Sequence, residues 1–482
     1  MGGLVSDAQD RSREASVAVS PGLNVAGVSL RGNSLLGEAF LWESIAARPG
    51  LVFSERLVAE DLKRLAETYA DQGLPHAKVS AADFRLDDRG LYYVYRIEEG
   101  LPVTVEEVRF AGQRQTKLQT LKRLAGIREG MRFSRQPVER ARVRLVKSGL
   151  FRGVAQPGLL PGSGPGKETL VFRVEESSYN SLFGAVGYSR DDSRPDGWLT
   201  GRIDLAFSNL AGTGQQARVS WQRLSRENSR LLAEYSAPWI FRWDIGFRGA
   251  VHHQIEDSSF TLSSGRAMLE FPAGQDFTAG LGGEAVRIVP GSSRSVRRSL
   301  RYSSLWSFRF DGRGADGRGM RSALEVEYGR KRYYDPAEQL TVSRIKFDAS
   351  RWQGLGARHA VYLAGHGRAV VSSEEPVPRT EQFALGGANS LRGYWEEQFF
   401  GNQLAWLNLE YRYQPDPRLV LFPLLDLGYY FDHERSQRGW RAGYGGGLMM
   451  NVALGWISLS YGLGPGDRLG QGKIHLNLQS DF

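Results

Sequence analysis

The sequence contains no cysteine among its 482 residues, so neither disulfide bonds nor thiolate metal ligands can form within it. It also has no uninterrupted apolar run of about 18 residues, the length that a transmembrane helix needs. The first 20 residues lack the apolar segment of a signal peptide, so if the protein is exported, we expect this sequence to begin after its signal or to be a shortened form. These absences do not exclude a membrane barrel, because the strands of such a barrel are short and alternating.

A concentrated basic arm is also missing. The formal net charge is +9, but the lysines and arginines are scattered along the chain, which argues against a nucleic-acid partner. Solubility is one interpretation of this charge, and attraction to anionic lipid or to a charged lumen is the other. No Ser/His/Asp arrangement stands out, so we predict that the protein is not an enzyme.

The first 176 residues contain an internal repeat. The segment RPGLVFS at 48–54 matches REGMRFS at 128–134, and VAGVSLRGN at 25–33 matches VEEVRFAGQ at 105–113 in its apolar positions. Each copy has the pattern strand, helix, helix, strand, strand, which indicates two α+β modules. Such modules serve either as spacers or, through exposed sheet edges, as sites where a partner adds a strand.

These patterns divide the chain into four segments. We expect a polar segment at 1–22, a first module at 23–100, a second module at 101–177 and a strand-rich region at 178–482. Ser54 is placed to cap the long helix of the first module. The glycine- and proline-rich stretch 156–167 is predicted to be a loop inside the second module.

The region 178–482 shows alternation of period two instead of helical periodicity. Tyr302, Trp306 and Phe308, for example, interleave with Arg301 and Ser303. We count about 16 such segments, separated by turn residues, which is a normal and even number for an outer-membrane barrel. A soluble β-sandwich or soluble barrel is the alternative, but aromatic residues near the segment ends favour interfacial girdles of a membrane barrel.

The final segment, KIHLNLQSDF at 473–482, is also strictly alternating. One face carries the apolar side chains Ile474, Leu476, Leu478 and Phe482, and the other carries polar ones. A terminal strand that ends in an aromatic residue is similar to the C-terminal strand of bacterial outer-membrane proteins, where it acts as an assembly signal. The resemblance implies the same role for these four residues.

One long irregular segment interrupts the alternation at about 374–402. Its sequence FALGGANSLRGYWEEQFFG has neither a helical face nor a strand pattern, and a loop this long is usually functional. The motif closely resembles the conserved inward-folded loop of the BamA/TamA superfamily of outer-membrane assembly and translocation barrels. The residues that carry this resemblance are Gly386, Gly387, Ser390, Leu391, Arg392, Gly393 and Tyr394.

The resemblance extends from about residue 23 to Phe482, because that family joins periplasmic POTRA modules, with the strand and helix order given above, to a 16-strand barrel. It implies that Arg392 reaches into the lumen and pairs with acidic residues of the wall. By alternation Glu410 and Asp426 point inward, and Asp426 with Gly428 matches the family's DxG pattern. The family often has an aromatic residue where this chain has Leu424, so the resemblance does not decide whether an aromatic ring packs on Arg392. A solvated Arg392 is the alternative.

Two further clusters give weaker signals. His252 and His253 lack a nearby acidic ligand pattern, so no metal site is predicted. The glycine-rich stretch 443–447 lacks the strand-helix-strand context of a dinucleotide loop, and we expect it to permit strand bending and close approach.

We therefore predict an all-β transmembrane barrel of about 16 antiparallel strands, preceded by two α+β POTRA modules, in the outer membrane of a Gram-negative-type bacterium. The resemblance implies a factor that inserts or translocates polypeptides without nucleotide hydrolysis or cofactor. Its expected partners are unfolded or nascent outer-membrane proteins, the lipid bilayer, and periplasmic chaperones or accessory lipoproteins. We expect a monomeric barrel.

Two alternatives remain. A two-partner secretion transporter has the same modules, barrel and loop, but usually carries an N-terminal plug helix, whereas the opening residues here are short and polar. A passive pore or structural barrel needs neither the loop nor the modules. In the assembly interpretation the barrel opens between its first strand, near 181–189, and its last, at 473–482. Nearby glycines would keep this seam weak: Gly184, Gly187, Gly464 and Gly466.

Overall fold

The fold is taken from a computed structural model. Its description covers residues 23–479 apart from nine short gaps, so the predicted polar segment 1–22 and Phe482 lie outside the described residues. The gaps are 178–179, 190–197, 224, 226–227, 257–258, 294–295, 315–316, 433–436 and 453–454.

The first module has the predicted order of elements: β1 (Val25–Arg31), α1 (Glu38–Trp42), α2 (Glu55–Asp71), β2 (Lys78–Asp87) and β3 (Gly90–Glu98). Strand β3 is central, with β1 parallel to it and β2 antiparallel. Ser54 caps α2 as predicted, because its hydroxyl accepts a hydrogen bond from the N–H of Leu57 at 3.1 Å. The apolar faces of both helices and of the sheet form one core.

The second module repeats this order with one addition. It comprises β4 (Thr104–Ala111), α3 (Leu118–Ala125), α4 (Arg135–Lys147), β5 (Phe151–Val154), β6 (Gly158–Pro161) and β7 (Lys167–Glu176). Strand β7 is central between β4 and β5, and β6 also pairs with it. The prediction of a loop at 156–167 is therefore wrong for β6, whose backbone finds partners in β7 although its sequence is GLLP.

A glutamate at the end of each module's central strand fixes the turn after the first strand. Glu99 accepts hydrogen bonds from the N–H groups of Ser34 and Leu35, and Glu176 accepts from those of Gln115 and Thr116. Burial raises the pKa of both carboxyls, but these bonds outweigh it and leave each pKa below its ordinary value. The two copies therefore share a structural device as well as a sequence pattern.

The strand-rich region forms one antiparallel sheet of sixteen strands, as predicted. Each strand of this sheet pairs with the next strand of the same sheet along the chain, and β8 and β25 are the two ends of the order. The strands are β8 (Asn180–Ser189), β9 (Trp198–Leu210), β10 (Gln215–Arg223), β11 (Asn228–Ala237), β12 (Gly246–Glu256), β13 (Phe260–Ala273), β14 (Phe277–Pro290), β15 (Ser299–Asp311), β16 (Gly319–Tyr334), β17 (Ala337–Gly354), β18 (His359–Ser372), β21 (Gln403–Asp416), β22 (Leu419–Asp432), β23 (Gln437–Val452), β24 (Gly455–Leu463) and β25 (Lys473–Gln479). Between β18 and β21 lie two short loop strands, β19 (Phe383–Leu385) and β20 (Phe399–Gly401), which pair with each other.

The predicted alternation between two faces is confirmed on β15, β21 and β22. On β15, Arg301 and Ser303 are buried, whereas Tyr302, Trp306 and Phe308 are exposed. Such an apolar, aromatic outer face and polar inner face is the pattern that lipid and an enclosed lumen require. Among the described residues no helix is both long and apolar enough to cross a bilayer.

Candidate functional site

The candidate site is the inner surface where the long loop, residues 373–402, meets strands β21 and β22. The loop begins after Ser372 and ends before Gln403. Its short strands β19 and β20 pair with each other on either side of the motif, and within the motif the N–H of Gly387 donates to the carbonyl of Leu391 at 3.1 Å, which forms a turn. The inward faces of β21 and β22 place Glu410 and Asp426 beneath that turn.

Arg392 contacts both predicted carboxylates. Its Nε and Nη2 donate to the two oxygens of Asp426 at 2.8 and 2.7 Å, and its Nη1 donates to Glu410 at 2.6 Å. The backbone N–H of Arg392 donates to Asp426 as well, at 2.9 Å. Because Asp426 is fully buried and Arg392 is 7% exposed, this is a desolvated, bidentate pair rather than a surface ion pair.

A second arginine shares one of the carboxylates. Arg412, on the inward face of β21, donates its Nε to the other oxygen of Glu410 at 2.8 Å. The guanidinium of Arg412 lies 4.2 Å from the ring centre of Tyr362 on β18. Glu410 therefore balances two arginines, and Asp426 interacts mainly with Arg392.

The loop glycines have backbone conformations that residues with side chains rarely adopt. Gly386, Gly387 and Gly393 have φ of 121°, 100° and 93°. The N–H of Gly386 donates to the hydroxyl of Ser390 at 2.9 Å, which closes the turn that presents Arg392. The motif residues therefore divide into those that shape the turn and the arginine that binds the wall.

The apolar and aromatic motif residues hold the turn against the wall. Leu391 is fully buried and packs with Leu385, Trp406 and Tyr430. The hydroxyl of Tyr394 donates to the backbone carbonyl of Ala442 at 3.1 Å. Burial of this cluster adds hydrophobic stabilisation of the bound loop to that of the ion pair.

The wall is glycine-lined where the loop backbone approaches most closely. A Cβ atom at Gly443 would lie 1.8 Å from the carbonyl oxygen of Arg392, and one at Gly462 would lie 2.5 Å from the nitrogen of Gly393. The interpretation of the stretch 443–447 as a place of close approach is therefore confirmed at its first residue.

The last strand contacts the loop directly. The N–H of Gly393 donates to Nε2 of His475 at 3.2 Å, and Asn477 donates to the side-chain oxygen of Asn389 at 2.7 Å. On the opposite face Ile474 and Leu476 are exposed, as the alternation predicts. Leu478 pairs through its backbone with β24, and the assignment of an assembly signal to these residues stays a prediction.

Sequence reasoning missed the aromatic partner of Arg392. Leu424 is buried two residues before Asp426, and the ring is supplied instead by Phe422, 6.0 Å from the guanidinium carbon. Phe422 shares the inward face of β22 with Leu424 and Asp426, so the period of two could have identified it.

Sequence reasoning also missed a second charged cluster inside the barrel. There the loop carboxylate of Glu381 contacts cations from three strands. At a separate place another loop carboxylate, that of Glu397, forms a bidentate pair with Arg230 of β11 at 2.8 Å. Loop positions have no periodicity, so nothing in the sequence distinguished these glutamates from solvated ones.

The remaining candidates take other places. His253 shares a hydrogen bond with Ser263, and within the described residues no three His, Asp or Glu side chains cluster as a metal site would require. Gly464 lies between β24 and β25, where an added Cβ would be 3.3 Å from Tyr394. Gly184 and Gly187 lie in β8 and Gly466 in the same turn as Gly464, so their effect on the seam stays a prediction.

Fold and site together define a class: a sixteen-stranded transmembrane barrel whose long loop is bound inside it, preceded by α+β modules. The family model described as the Omp85 superfamily domain matches residues 209–482, and the one described as surface antigen variable number repeat, POTRA, matches 103–177. The chain belongs to the Omp85 superfamily. It is accordingly an outer-membrane barrel of the Gram-negative type with periplasmic POTRA structure.

Two curated relatives are similar over most of the chain. The outer membrane protein assembly factor BamA of Nitratidesulfovibrio vulgaris is 24% identical over 410 residues, 79% of this chain and 51% of the relative. The outer membrane transporter CdiB of Dickeya dadantii is 26% identical over 344 residues, 62% of this chain and 59% of the relative. The chain thus spans between half and three-fifths of the length of these relatives.

Solved structures show the same fold. BamA from Haemophilus ducreyi lacking POTRA domains 1–3 superimposes with a TM-score of 0.52 at 16% identity, covering 94% of this chain and 98% of that one. CdiB from Escherichia coli gives a TM-score of 0.50 at 17% identity, covering 97% and 91%. At these identities the similarity speaks for the fold alone.

Proposed function

We propose that this protein is an outer-membrane assembly factor that inserts or translocates client polypeptides without nucleotide hydrolysis. The observation that carries the proposal is the loop bound inside the barrel, whose motif contacts β21, β22 and the last strand, β25. A passive pore has no need of a buried, charged loop in its lumen. Similarity to the assembly factor BamA supports the same function.

The proposed mechanism uses the ends of the strand order. While β25 and β8 are apart, the free edge of each presents unpaired N–H and C=O groups, onto which a client strand can add. The loop holds β25 through Gly393 and Asn389 while the seam opens, so the template edge keeps its shape. The periplasmic modules, which also have exposed sheet edges, would receive extended clients first.

A disulfide across the seam tests this mechanism. Because the chain has no cysteine, Leu182→Cys on β8 can be paired in turn with Ile474→Cys and Leu476→Cys on β25, all on exposed outer positions. We expect the cross-linked pair to stop client insertion into proteoliposomes and reductant to restore it. The matched control is Tyr328→Cys with Ser343→Cys, which face each other on β16 and β17. Full insertion by the seam-locked barrel would refute the gating mechanism.

The second candidate function is two-partner secretion of one large protein. Its support is the similarity to the transporter CdiB, which covers 62% of this chain at a slightly higher identity than the BamA match. Both functions would use the same loop and barrel, and they differ in the number of clients.

Depletion of this protein in its host separates the two candidates. We expect a quantitative proteome of the outer membrane and medium to show loss of many barrel proteins if the function is assembly. Loss of one large secreted protein alone would replace assembly with two-partner secretion. Loss of neither would refute both proposals.

A further inference from the structure

A second charged cluster holds the loop at a point remote in sequence from Arg392. The carboxylate of Glu381 lies 2.6 Å from Arg301 on β15, 3.3 Å from Lys331 on β16 and 3.3 Å from Arg344 on β17. Glu381, Arg301 and Lys331 are only 2%, 5% and 1% exposed. The carboxylate of one loop residue thus contacts cationic side chains from three adjacent strands.

The wall itself does not balance these cations. Its nearest carboxylate is that of Glu327, which lies 3.1 Å from Arg301 and 3.7 Å from Arg344 and also accepts a hydrogen bond from Ser303. Glu284 is more distant from Arg301, at 3.6 Å. Since unpaired buried charges are strongly destabilising, three converging cations require further anions, and the loop supplies them.

The loop contributes a second carboxylate to the same cluster. Glu374 accepts hydrogen bonds from Lys331 at 3.2 Å and from the hydroxyl of Tyr333 at 2.7 Å. Arg344 also donates to the backbone carbonyl of Glu381 at 3.1 Å, which fixes the main chain as well as the side chain. The cluster is therefore complete only when the loop is in place.

Apolar packing accompanies the charges. Val377 is 4% exposed and packs with Val342 and Val370 of the wall. The ring of Phe383 lies under the guanidinium of Arg344, at 4.3 Å. Residues 374–383, which we call the leading limb, thus have an apolar contact and an ionic contact with the wall of their own.

We propose that Glu381 is a second positioning residue, which anchors the leading limb to β15–β17 independently of the contact that Arg392 makes with β21 and β22. The loop then joins two sectors of the wall. The leading limb stays fixed on the middle strands while the motif follows the last strands as the seam opens. The activity part of this inference rests on the proposed function, but the anchor itself can be tested without it.

Thiol labelling in isolated outer membranes tests the anchor, since every thiol will be an engineered one. Val377→Cys reports on the leading limb and Leu391→Cys, fully buried beside Arg392, reports on the motif. We expect Glu381→Gln to raise maleimide labelling at position 377 by about tenfold or more and to change labelling at 391 by much less. The matched control is Glu375→Gln, an exposed carboxyl in the same limb, which should change neither rate.

Equal labelling at position 377 in the Glu381→Gln and Glu375→Gln proteins would overturn the anchor, provided that both barrels show heat-modifiable migration. If Glu381→Gln does not fold, the double variant Glu381→Gln with Lys331→Met takes the place of the single variant in the assay. The double variant removes one uncompensated cation together with the carboxylate. Recovery of folding by this double variant supports the charge balance. Failure of both variants to fold overturns the proposal, because Glu381 would then be needed for the whole barrel and not for positioning the leading limb.

Client insertion is measured on the same proteins. If labelling changes but insertion does not, the anchor stands and its link to activity is refuted. Absence of insertion by the unaltered protein would instead refute the proposed assembly function. If insertion falls without any change in labelling, the positioning role is wrong.

Discussion

Replacing Asp426 by asparagine should release the motif from the wall. Asp426 is fully buried and accepts three hydrogen bonds from Arg392, two from the guanidinium and one from the backbone. The asparagine keeps the shape but removes the charge, so the guanidinium retains only Glu410 as a close anion. Removing one partner of a buried ion pair costs about 3–5 kcal/mol. We expect the lower end, about 3 kcal/mol, because Glu410 still contacts Arg392.

A cost of about 3 kcal/mol shifts the equilibrium between bound and released loop by roughly a hundredfold. Leu391→Cys provides the readout, because its side chain is accessible to a maleimide only after release. The control is Asp416→Asn, an exposed carboxyl on the same strand as Glu410, and the Asp416 variant should leave labelling unchanged.

Labelling within threefold of the unaltered protein, in a barrel that folds normally, would refute the ionic account of loop binding. The charge reversal Asp426→Lys is the more severe version, because it places a cation against Arg392. Normal folding and full client insertion in that variant would show that the contact has no role in function.

Two further predictions follow from backbone contacts. Gly443→Ala should displace the motif from the wall, because the new Cβ would lie 1.8 Å from the carbonyl oxygen of Arg392. Labelling at position 391 should rise, whereas Gly470→Ala, in open space, should have no effect. Glu99 has a lowered pKa, so its stabilisation of the turn at Ser34 is present above the ordinary value of 4.5 and is lost as the pH falls through the lower folded-state pKa. Hydrogen exchange, corrected for intrinsic rates, should show protection of residues 34–36 falling in acid, and Glu99→Gln should lose protection at neutral pH; unchanged protection would contradict this account.

Local sequence patterns predicted most of the fold because the barrel is built from antiparallel neighbours. A period of two settles which side chains face the lumen, and short turns between successive strands settle the order of the sheet. The internal repeat likewise predicted the elements of both modules. Strand β6 was missed because glycine and proline dominate its surroundings, and its pairing with β7 is a tertiary effect.

The site was predictable only where a wall residue had a pattern to reveal its face. Glu410 and Asp426 lie on strands whose side chains alternate between the two faces of the sheet, and the structure places both against Arg392. Glu381 could not be found in this way, because an irregular loop has no face. Its partners Arg301 and Lys331 alternate inward, but only the register between strands shows that they converge on one point.

The glycines beneath the motif have a consequence for how the loop moves. Gly443 and Gly462 have no Cβ atoms, and the backbone of the motif fits closely against them in one position. A shift of the loop by a single residue would bring a side chain into this narrow space. Packed surfaces of this kind have discrete arrangements and do not deform continuously. The motif should therefore leave the wall in one step between two populations, bound and released, without passing through a series of partly seated states.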